Sequence, residues 1–157
     1  MLSEIAWQWT RFAQLTPHDL YAALRARSEV FVVEQHCAFL DLDDADQEAW
    51  HLLGWADRRG AQVLAAYLRL LPPGRKFSEA SIGRVLTAAE FRRTGAGRAL
   101  MREGVRKSAE IHPEHNIRIG AQRYLENFYG GFGFRPASEP YLEDGIEHIE
   151  MLRPATI

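Results

Sequence analysis

The sequence predicts an α/β fold of the α+β kind, with one mixed sheet of about seven strands and about four helices. The first reason is length, because 157 residues suit one domain with its own core. The second is order, since strand patterns rich in β-branched and aromatic residues alternate with helical patterns. The third is that no internal repeat or linker is visible, so residues 1–157 are expected to form a single domain.

Seven segments are predicted as strands from alternating or continuous apolar runs. They cover residues 5–12, 50–56, 63–71, 82–87, 116–122, 134–137 and 146–152. A turn through residues 57–60 joins the second strand to the third, and Pro72-Pro73-Gly74 ends the third. The pair Asp144-Gly145 is typical of a hairpin turn, so the last strand is expected to begin after a tight turn.

Four segments are predicted as helices. They cover residues 17–30, 31–35, 95–111 and 125–131. The first begins with Thr16 as its cap, Pro17 in its first turn and Asp19 where an acid can bond back to the cap. The longest is expected to end at His112-Pro113, because the residue before a proline disfavours helix.

Composition excludes several classes of function. The net charge is −2, so the basic surface of a non-specific nucleic-acid binder is not expected. The single cysteine, Cys37, cannot form an internal disulfide. Residues 1–5 lack the features of a signal peptide, and no segment approaches the ~18 apolar residues of a membrane span. A cytoplasmic protein without nucleic-acid or membrane partners is therefore expected.

The most informative segment is Arg92-Arg93-Thr94-Gly95-Ala96-Gly97-Arg98, which precedes the longest helix. Its two glycines allow the backbone to curl and to approach a ligand closely. The first amides of the helix lack helical partners and form an anion site, to which the three arginines add positive charge. This chemistry favours a pyrophosphate, although an ordinary tight connection between strand and helix is the alternative.

Two familiar phosphate-binding motifs do not fit this segment. A P-loop needs Gly-Lys-Ser/Thr where the chain has Gly97-Arg98-Ala99, and a dinucleotide fingerprint needs a small residue where the chain has Leu100. The spacing Arg92-x-x-Gly95-x-Gly97 instead resembles the acyl-CoA signature of the GNAT superfamily of N-acetyltransferases.

A second segment strengthens this resemblance. Asn127-Phe128-Tyr129-Gly130-Gly131-Phe132-Gly133-Phe134 is similar to the GNAT C-terminal motif, an aromatic-Tyr pair followed by Gly-Phe. Further blocks across the chain resemble the ElaA-like branch of the superfamily. They are residues 31–35, 51–55, 82–85, 120–122 and 143–149. The resemblance implies a mostly antiparallel sheet, acetyl-CoA as cosubstrate, no metal ion, and a small-molecule or peptide primary amine as acceptor.

The resemblance also implies roles for individual residues. Tyr129 would lie beside the thioester sulfur and donate a proton to the departing thiolate. Leu86 and Thr87 would offer backbone groups to the pantetheine arm, and an amide of this bulged strand would polarise the acyl carbonyl. Gln122 stands where many members have asparagine, and Asn127 is a second amide for the same contact.

The residue that takes the proton from the amine is left open by the sequence. Glu34 is the first candidate, acting directly or through water, with an exposed surface glutamate as the alternative. His51 and His148 are rivals on the acceptor side, because imidazole titrates near neutrality, with a structural histidine as the alternative for each. A water chain to Tyr129 with no dedicated base is a further possibility.

An acidic loop spans residues 41–48, with Asp41, Asp43, Asp44, Asp46 and Glu48. It would either attract a cationic amine, such as a polyamine or a lysine tail, or remain a solvated loop, and the second interpretation is favoured. A calcium loop is rejected, because the spacing lacks the required turn residue and final glutamate. For Cys37, a buried inert thiol is favoured over an acyl-accepting nucleophile.

Two functions other than catalysis of acetyl transfer stay open. The first is an acyl-CoA-binding sensor or interaction module without turnover, and the second is a site for a different phosphorylated cofactor. A homodimer is expected by analogy of fold and from the abundance of two-fold oligomers.

Overall fold

The computed structural model describes residues 4–155 of the chain. The first three residues of the N-terminal segment that was assessed for a signal peptide lie outside this range. Within it, no helix is both long and apolar enough to cross a membrane.

Eight strands and three α-helices are present in the described part of the chain. The strands are β1 Ala6–Arg11, β2 Trp50–Arg58, β3 Ala61–Leu71, β4 Ser81–Thr87, β5 Ile117–Gln122, β6 Arg135–Pro136, β7 Tyr141–Glu143 and β8 Ile146–Arg153. The helices are α1 Pro17–Arg27, α2 Ala96–Ile111 and α3 Glu126–Gly130, and a π-helical segment, Ser28–Glu34, continues from α1. The predicted α/β class is confirmed, as are all seven predicted strand segments to within a few residues.

The strands form two antiparallel sheets of four strands each instead of the one continuous sheet of about seven that was predicted. The first has the order β1-β2-β3-β4. In the second, β8 pairs with β5 along one edge and with β6 and β7 along the other. The sheets are joined by a parallel bridge between Ala80 and Ile117, at the start of β4 and β5. Because these strands do not pair further along, a gap opens between them.

A bulge in β4 accompanies this separation. Tyr67 pairs with Leu86 and Arg69 pairs with Gly83, so two residues of β4, Arg84 and Val85, oppose one residue of β3. Arg84 has a φ of 52°, in the left-handed region that residues with a side chain rarely adopt. The extra residue interrupts the ladder, and a bulge of this kind bends the strand that carries it.

The C-terminal hairpin has the predicted turn but a different first strand. Asp144 and Gly145 have φ values of 52° and 77°, as a tight hairpin turn requires. The strand before the turn is β7, which the sequence analysis missed because it has three residues. The predicted strand at 134–137 is reduced to the two residues of β6.

The helix starting at Thr16 follows the prediction at its beginning and departs from it at its end. The Thr16 hydroxyl accepts a hydrogen bond from the Asp19 amide at 3.0 Å, whereas the Asp19 carboxylate accepts from Gln8 rather than bonding back to the cap. The separate short helix expected at 31–35 is part of the π-helical segment, which follows α1 without a break. Helix α2 ends at Ile111, as the His112-Pro113 pair predicted.

One apolar core links the two sheets. Its buried members come from β2, β3, β4, α2, β5, α3 and β8. Leu68 of β3 and Leu100 of α2 are fully buried within it. Helix α2 is amphipathic and places its apolar stripe on this core, which fixes its N-terminus at the gap between the sheets.

Candidate active site

A cleft of about 700 Å³ lies where β4 and β5 separate. Its walls come from the π-helical segment, β4, the turn before α2, β5, α3 and the β7–β8 hairpin. Most of the residues that the sequence analysis selected line it. They are Glu34, Leu86, Thr87, Arg92, Arg93, Gly95, Gly97, Arg98, Gln122, Tyr129 and His148.

One end of the cleft is formed by the glycine turn and the N-terminus of α2. Gly95 has a φ of 89° and Arg93 a φ of 63°, so the backbone curls before the helix begins. A Cβ atom at Gly97 would lie 3.3 Å from Thr87 Oγ1, and it would narrow the cleft where a ligand must approach the backbone. Arg93 and Arg98 are exposed here. The end therefore offers amides, open space and positive charge, which suit a pyrophosphate.

Two residues of the glycine turn support it from behind. The Thr94 hydroxyl donates to the Phe91 carbonyl and accepts from the Ala96 amide at 3.3 Å. Ala96 is buried in a small apolar cluster with Phe91. Neither Thr94 nor Ala96 lines the cleft, so their side chains shape the turn and leave ligand contact to their neighbours.

Arg92 is engaged with the protein. Its Nε donates to the Thr87 carbonyl at 3.0 Å, and its guanidinium pairs with the Glu34 carboxylate at 2.7 Å. Arg92 thereby ties the end of β4 to the π-helical segment. Glu34 consequently lies beside the anion-binding end of the cleft, where its negative charge is compensated by Arg92.

Tyr129 lies on α3 with its ring in the core. The residue is 7% exposed and packs edge-on against Phe128 and Phe134, at centroid distances of 5.2 and 6.1 Å. Burial, with a smaller effect of Tyr124, raises the pKa of Tyr129 well above its usual value. A phenol in this state is protonated at neutral pH, so its hydroxyl can donate a hydrogen bond to a neighbouring thiolate, although burial also makes it a weaker acid.

The two amides considered for the pantetheine contact differ in position. Gln122 lines the cleft at the end of β5, and its side chain donates to Gln35 at 3.2 Å. Asn127 is exposed and does not line the cleft. The sequence pattern alone could not separate them, because Asn127 is on the first turn of α3 and the outward direction of its side chain depends on how α3 docks.

The two candidate histidines also differ in their position relative to the cleft. His51 is 1% exposed, and its ring nitrogens bond the Tyr67 hydroxyl at 2.7 Å and the Asp46 carbonyl at 2.9 Å. Burial lowers the pKa of His51, and it does not line the cleft. The expectation that His51 faces the acceptor is therefore replaced by the structural alternative.

His148, in contrast, lines the cleft from β8. Its Nδ1 lies 2.7 Å from the Ile146 carbonyl, which only a protonated Nδ1 can satisfy. In the neutral ring Nε2 then carries the lone pair, and it is 3.6 Å from the Glu143 carboxylate. The ring is held by stacking on Tyr141 at 5.8 Å.

The acidic loop is only partly solvated: Asp44 and Glu48 are exposed, whereas Asp41 and Asp46 are buried, which corrects the favoured interpretation for those two. Asp41 and Asp46 are 8% and 6% exposed, and both bond Arg27, at 2.9 and 2.7 Å. Arg69 bonds Asp46 at 3.0 Å and Asp43 at 2.6 Å. Burial tends to raise the pKa of Asp43 and Asp46, but the arginine hydrogen bonds outweigh it and lower both. These carboxylates are committed to buried arginines and cannot attract a cationic acceptor.

The same network reaches the β4 bulge through Arg84. Its Nε donates to Asp41 Oδ1 at 2.7 Å and its Nη2 to the Asp41 carbonyl at 2.9 Å. Sequence analysis missed this network, although a charge within the apolar run Leu68-Arg69-Leu70 is a signal for a buried counter-charge.

Cys37 has the expected buried position, and it also lines the cleft. Its thiol donates to the Asp144 carbonyl at 3.5 Å. Burial and the Asp144 charge raise the pKa of Cys37, so the thiolate that a nucleophile needs is disfavoured.

Comparison with known proteins defines the family to which the chain belongs. A family model described as an acetyltransferase (GNAT) domain matches residues 60–153. That range holds β4, the glycine turn, Tyr129 and His148, which line the cleft. The chain therefore belongs to the GNAT acetyltransferase family.

Within that family, the resemblance to the ElaA-like branch is confirmed. The chain is 38% identical to Protein ElaA of Escherichia coli over 151 residues, which cover 95% of this chain and 96% of that protein. It is 43% identical to UPF0039 protein sll0451 of Synechocystis over 149 residues, which cover 95% of each.

Solved structures agree with these relatives. An acyl-CoA N-acyltransferase from Pseudomonas aeruginosa has a TM-score of 0.88 at 39% identity, covering 96% of this chain and 99% of that one. Escherichia coli ElaA has a TM-score of 0.86 at 38% identity, covering 95% of this chain and 99% of that one.

Proposed function

We propose that this chain transfers an acetyl group from acetyl-CoA to a primary amine. The observation that carries the proposal is that the amide-rich turn before α2 and the Tyr129 ring line the same cleft. Membership of the GNAT family and the similarity to an acyl-CoA N-acyltransferase support it. The cosubstrate supplies an acetyl group activated as a thioester, and the chain's residues bind, orient and handle protons.

The residues at the glycine turn fit a pyrophosphate-bearing cosubstrate. The first amides of α2 lack helical partners, Gly95 and Gly97 beside them line the cleft without side chains, and Arg93 and Arg98 add charge. Beyond the turn, Leu86 and Thr87 line the cleft where β4 is not paired with β5. Their backbone groups are the proposed partners of the pantetheine amides, with Gln122 on the opposite wall.

Proton handling is assigned to two side chains. Tyr129 is the proposed donor to the thiolate, because it lines the cleft and its hydroxyl is protonated at neutral pH. For the proton of the amine, the geometry favours His148, whose Nε2 is the free acceptor of the ring. Glu34 is the competing base, and its carboxylate is already paired with the Arg92 guanidinium.

The test is release of CoA thiol by purified protein with acetyl-CoA and a panel of amines, comparing wild type with Tyr129→Phe. The Tyr129 hydroxyl has no hydrogen-bond partner among residues 4–155, so the variant should fold and bind CoA normally. Loss of a general acid lowers kcat by about 100-fold or more. Tyr21→Phe, on exposed α1 surface outside the cleft, is the matched control.

The outcomes separate the proposal from a non-catalytic sensor. Amine-dependent CoA release that Tyr129→Phe abolishes would establish the enzyme. Acetyl-CoA binding without release, equal in both proteins, would favour the sensor. Absence of acetyl-CoA binding, or displacement by ATP or NAD as readily as by CoA, would contradict the proposal.

The proposal treats the whole chain as one catalytic domain that acts in the cytoplasm without nucleic-acid or membrane partners. The homodimer stays a prediction. Light scattering on the full chain measures it directly, and a monomeric mass at working concentration would refute it.

A further inference from the structure

The end of the cleft away from the glycine turn has walls of opposite charge. Lys76 and Arg84 line it on the side of the first sheet, and Glu143 and Asp144 line it from the β7–β8 hairpin. His148 lies on the hairpin side as well. We call this region the acceptor end, because Lys76 precedes β4 while the anion-binding turn follows it, and because the region includes the proposed base.

Lys76 is the cation of this end that has no carboxylate partner among residues 4–155, and its ammonium lies 5.3 Å from the centroid of the Phe77 ring. Its Nζ reaches over Gly120 of β5, 3.8 Å from where a Cβ atom would stand, beside the Tyr141 hydroxyl. No carboxylate within residues 4–155 lies within 4.0 Å of its ammonium. Lys107, the other lysine of the sequence, pairs with Glu110 at 3.2 Å.

Arg84 differs from Lys76 because it is already bonded. Asp41 accepts two of its hydrogen bonds, and Asp43 lies 3.4 Å away. An arginine held in this way has little to gain from an added anion. The ammonium of Lys76 has no such partner, so an anion that enters the cleft would gain most by binding there.

The opposite wall presents the complementary charge. Glu143 is the carboxylate with the strongest electrostatic effect on Lys76, yet the two do not form an ion pair. Partial desolvation of the ammonium lowers the pKa of Lys76, although the residue is exposed, and Glu143 offsets only part of this effect. The Lys76 ammonium and the Glu143 carboxylate are therefore separated and do not pair with each other. A zwitterion lying between them would present the opposite charge to each.

We propose that the acceptor is an amine that also carries a carboxylate, as free amino acids do, with its carboxylate bound by Lys76 and its amino group directed to Glu143 and His148. The inference rests on the proposed function and names its substrate class. In the transfer, the neutral amine nitrogen forms a bond to the acetyl carbon while the carbon–sulfur bond of the thioester breaks. The nitrogen loses one proton to His148, and the departing thiolate takes one from Tyr129. The acceptor's carboxylate takes no part in bond formation, so Lys76 binds the substrate and is not a catalytic residue.

The consequence is a defined kinetic pattern. The ammonium–carboxylate contact is present before and during transfer, so its loss raises KM and leaves kcat nearly unchanged. A charge-assisted hydrogen bond predicts an increase in KM of about 10-fold or more. The effect should vanish for an acceptor whose carboxylate is blocked.

The experiment compares amino acids with their own carboxamides, and with simple alkylamines, as acceptors for the wild type, Lys76→Met and the control Lys107→Met. Rates are compared at equal concentrations of unprotonated amine, because blocking the carboxylate lowers the pKa of the amine. Wild type and Lys107→Met should prefer the amino acid by about 10-fold or more in kcat/KM, and Lys76→Met should lose this preference through KM.

A charge reversal sharpens the test. Lys76→Glu should reject amino acids and accept diamines better than wild type does, because the anion now matches a second ammonium. Equal use of amino acids and carboxamides by wild type, or an unchanged preference in Lys76→Met, would overturn the inference while leaving the acetyltransferase standing. No turnover of any amine despite acetyl-CoA binding would overturn the proposed function and this inference together.

Discussion

Arg84 has a left-handed backbone conformation, which is unfavourable for a residue with a Cβ atom. Its φ of 52° costs about 1–2 kcal/mol for a residue with a Cβ. Its guanidinium offsets this cost through two hydrogen bonds to Asp41, at 2.7 and 2.9 Å, from a side chain that is 19% exposed. The bulge that opens the cleft therefore depends on a contact between β4 and a segment 43 positions earlier in the chain.

Two substitutions separate the strain from the contact. Arg84→Ala keeps the strain and removes both hydrogen bonds, so we expect the free energy of unfolding to fall by roughly 2–3 kcal/mol. Arg84→Gly removes the same bonds but relieves the strain. Glycine costs about 0.5–1 kcal/mol in a strand through backbone entropy, which is less than the strain relieved. The glycine variant should therefore be the more stable of the two by roughly 0.5–1 kcal/mol.

Urea unfolding of the two variants measures this difference, with Val85 as the matched position. Val85 is the next residue of β4 and has no positive φ, so there the ordinary order holds and Val85→Ala should be more stable than Val85→Gly. The reversal at Arg84 alone is the expected result. If Arg84→Ala is as stable as Arg84→Gly, the account of backbone strain at the bulge is wrong.

Three further outcomes are expected. Arg27→Met, at a side chain 1% exposed that pairs with two acids, should lower the free energy of unfolding by about 3–5 kcal/mol in urea; a loss under about 1 kcal/mol would contradict a buried network. Asp43 and Asp46 have lowered pKa values in the folded protein. Their contribution to the free energy of unfolding should therefore be complete above about pH 4 and should be lost as the pH falls further. A urea midpoint that stays constant down to pH ~2 would refute this. Gly95→Ala, at a φ of 89° with open space around the Cβ, should cost about 1–2 kcal/mol by urea unfolding, and an unchanged midpoint would disprove the need for glycine.

Much of the fold was readable because its signals are local. The cap at Thr16, the stop at His112-Pro113 and the turn at Asp144-Gly145 each depend on residues within a few positions of one another. The glycine turn is also a local signal, because the tight curl at Gly95 and Gly97 depends only on the backbone freedom of glycine. These predictions are confirmed in the structure.

The errors have a different origin, because they concern partners that are distant in sequence. The acidic loop reads as solvated when it is considered alone, and only the packing of α1 and β3 brings Arg27 and Arg69 to its carboxylates. His51 and His148 both fit strand patterns, and which of them reaches the cleft depends on the sheet that each belongs to. The separation of β4 from β5 beyond the Ala80–Ile117 bridge was not predicted, because it depends on how strands distant in sequence pair.

The cations that line the cleft divide into those with a carboxylate partner from the protein and those without one. Within residues 4–155, two of the cleft arginines are compensated by the protein, Arg84 by Asp41 and Arg92 by Glu34. The cations without such a partner in the same range are Arg93 and Arg98 at the glycine turn and Lys76 at the acceptor end. A network that had left Arg84 free would have offered a second anion site at the acceptor end. Among the described residues, uncompensated positive charge instead lies at the glycine turn and at Lys76, which matches a ligand pair carrying a pyrophosphate at one end and a carboxylate at the other.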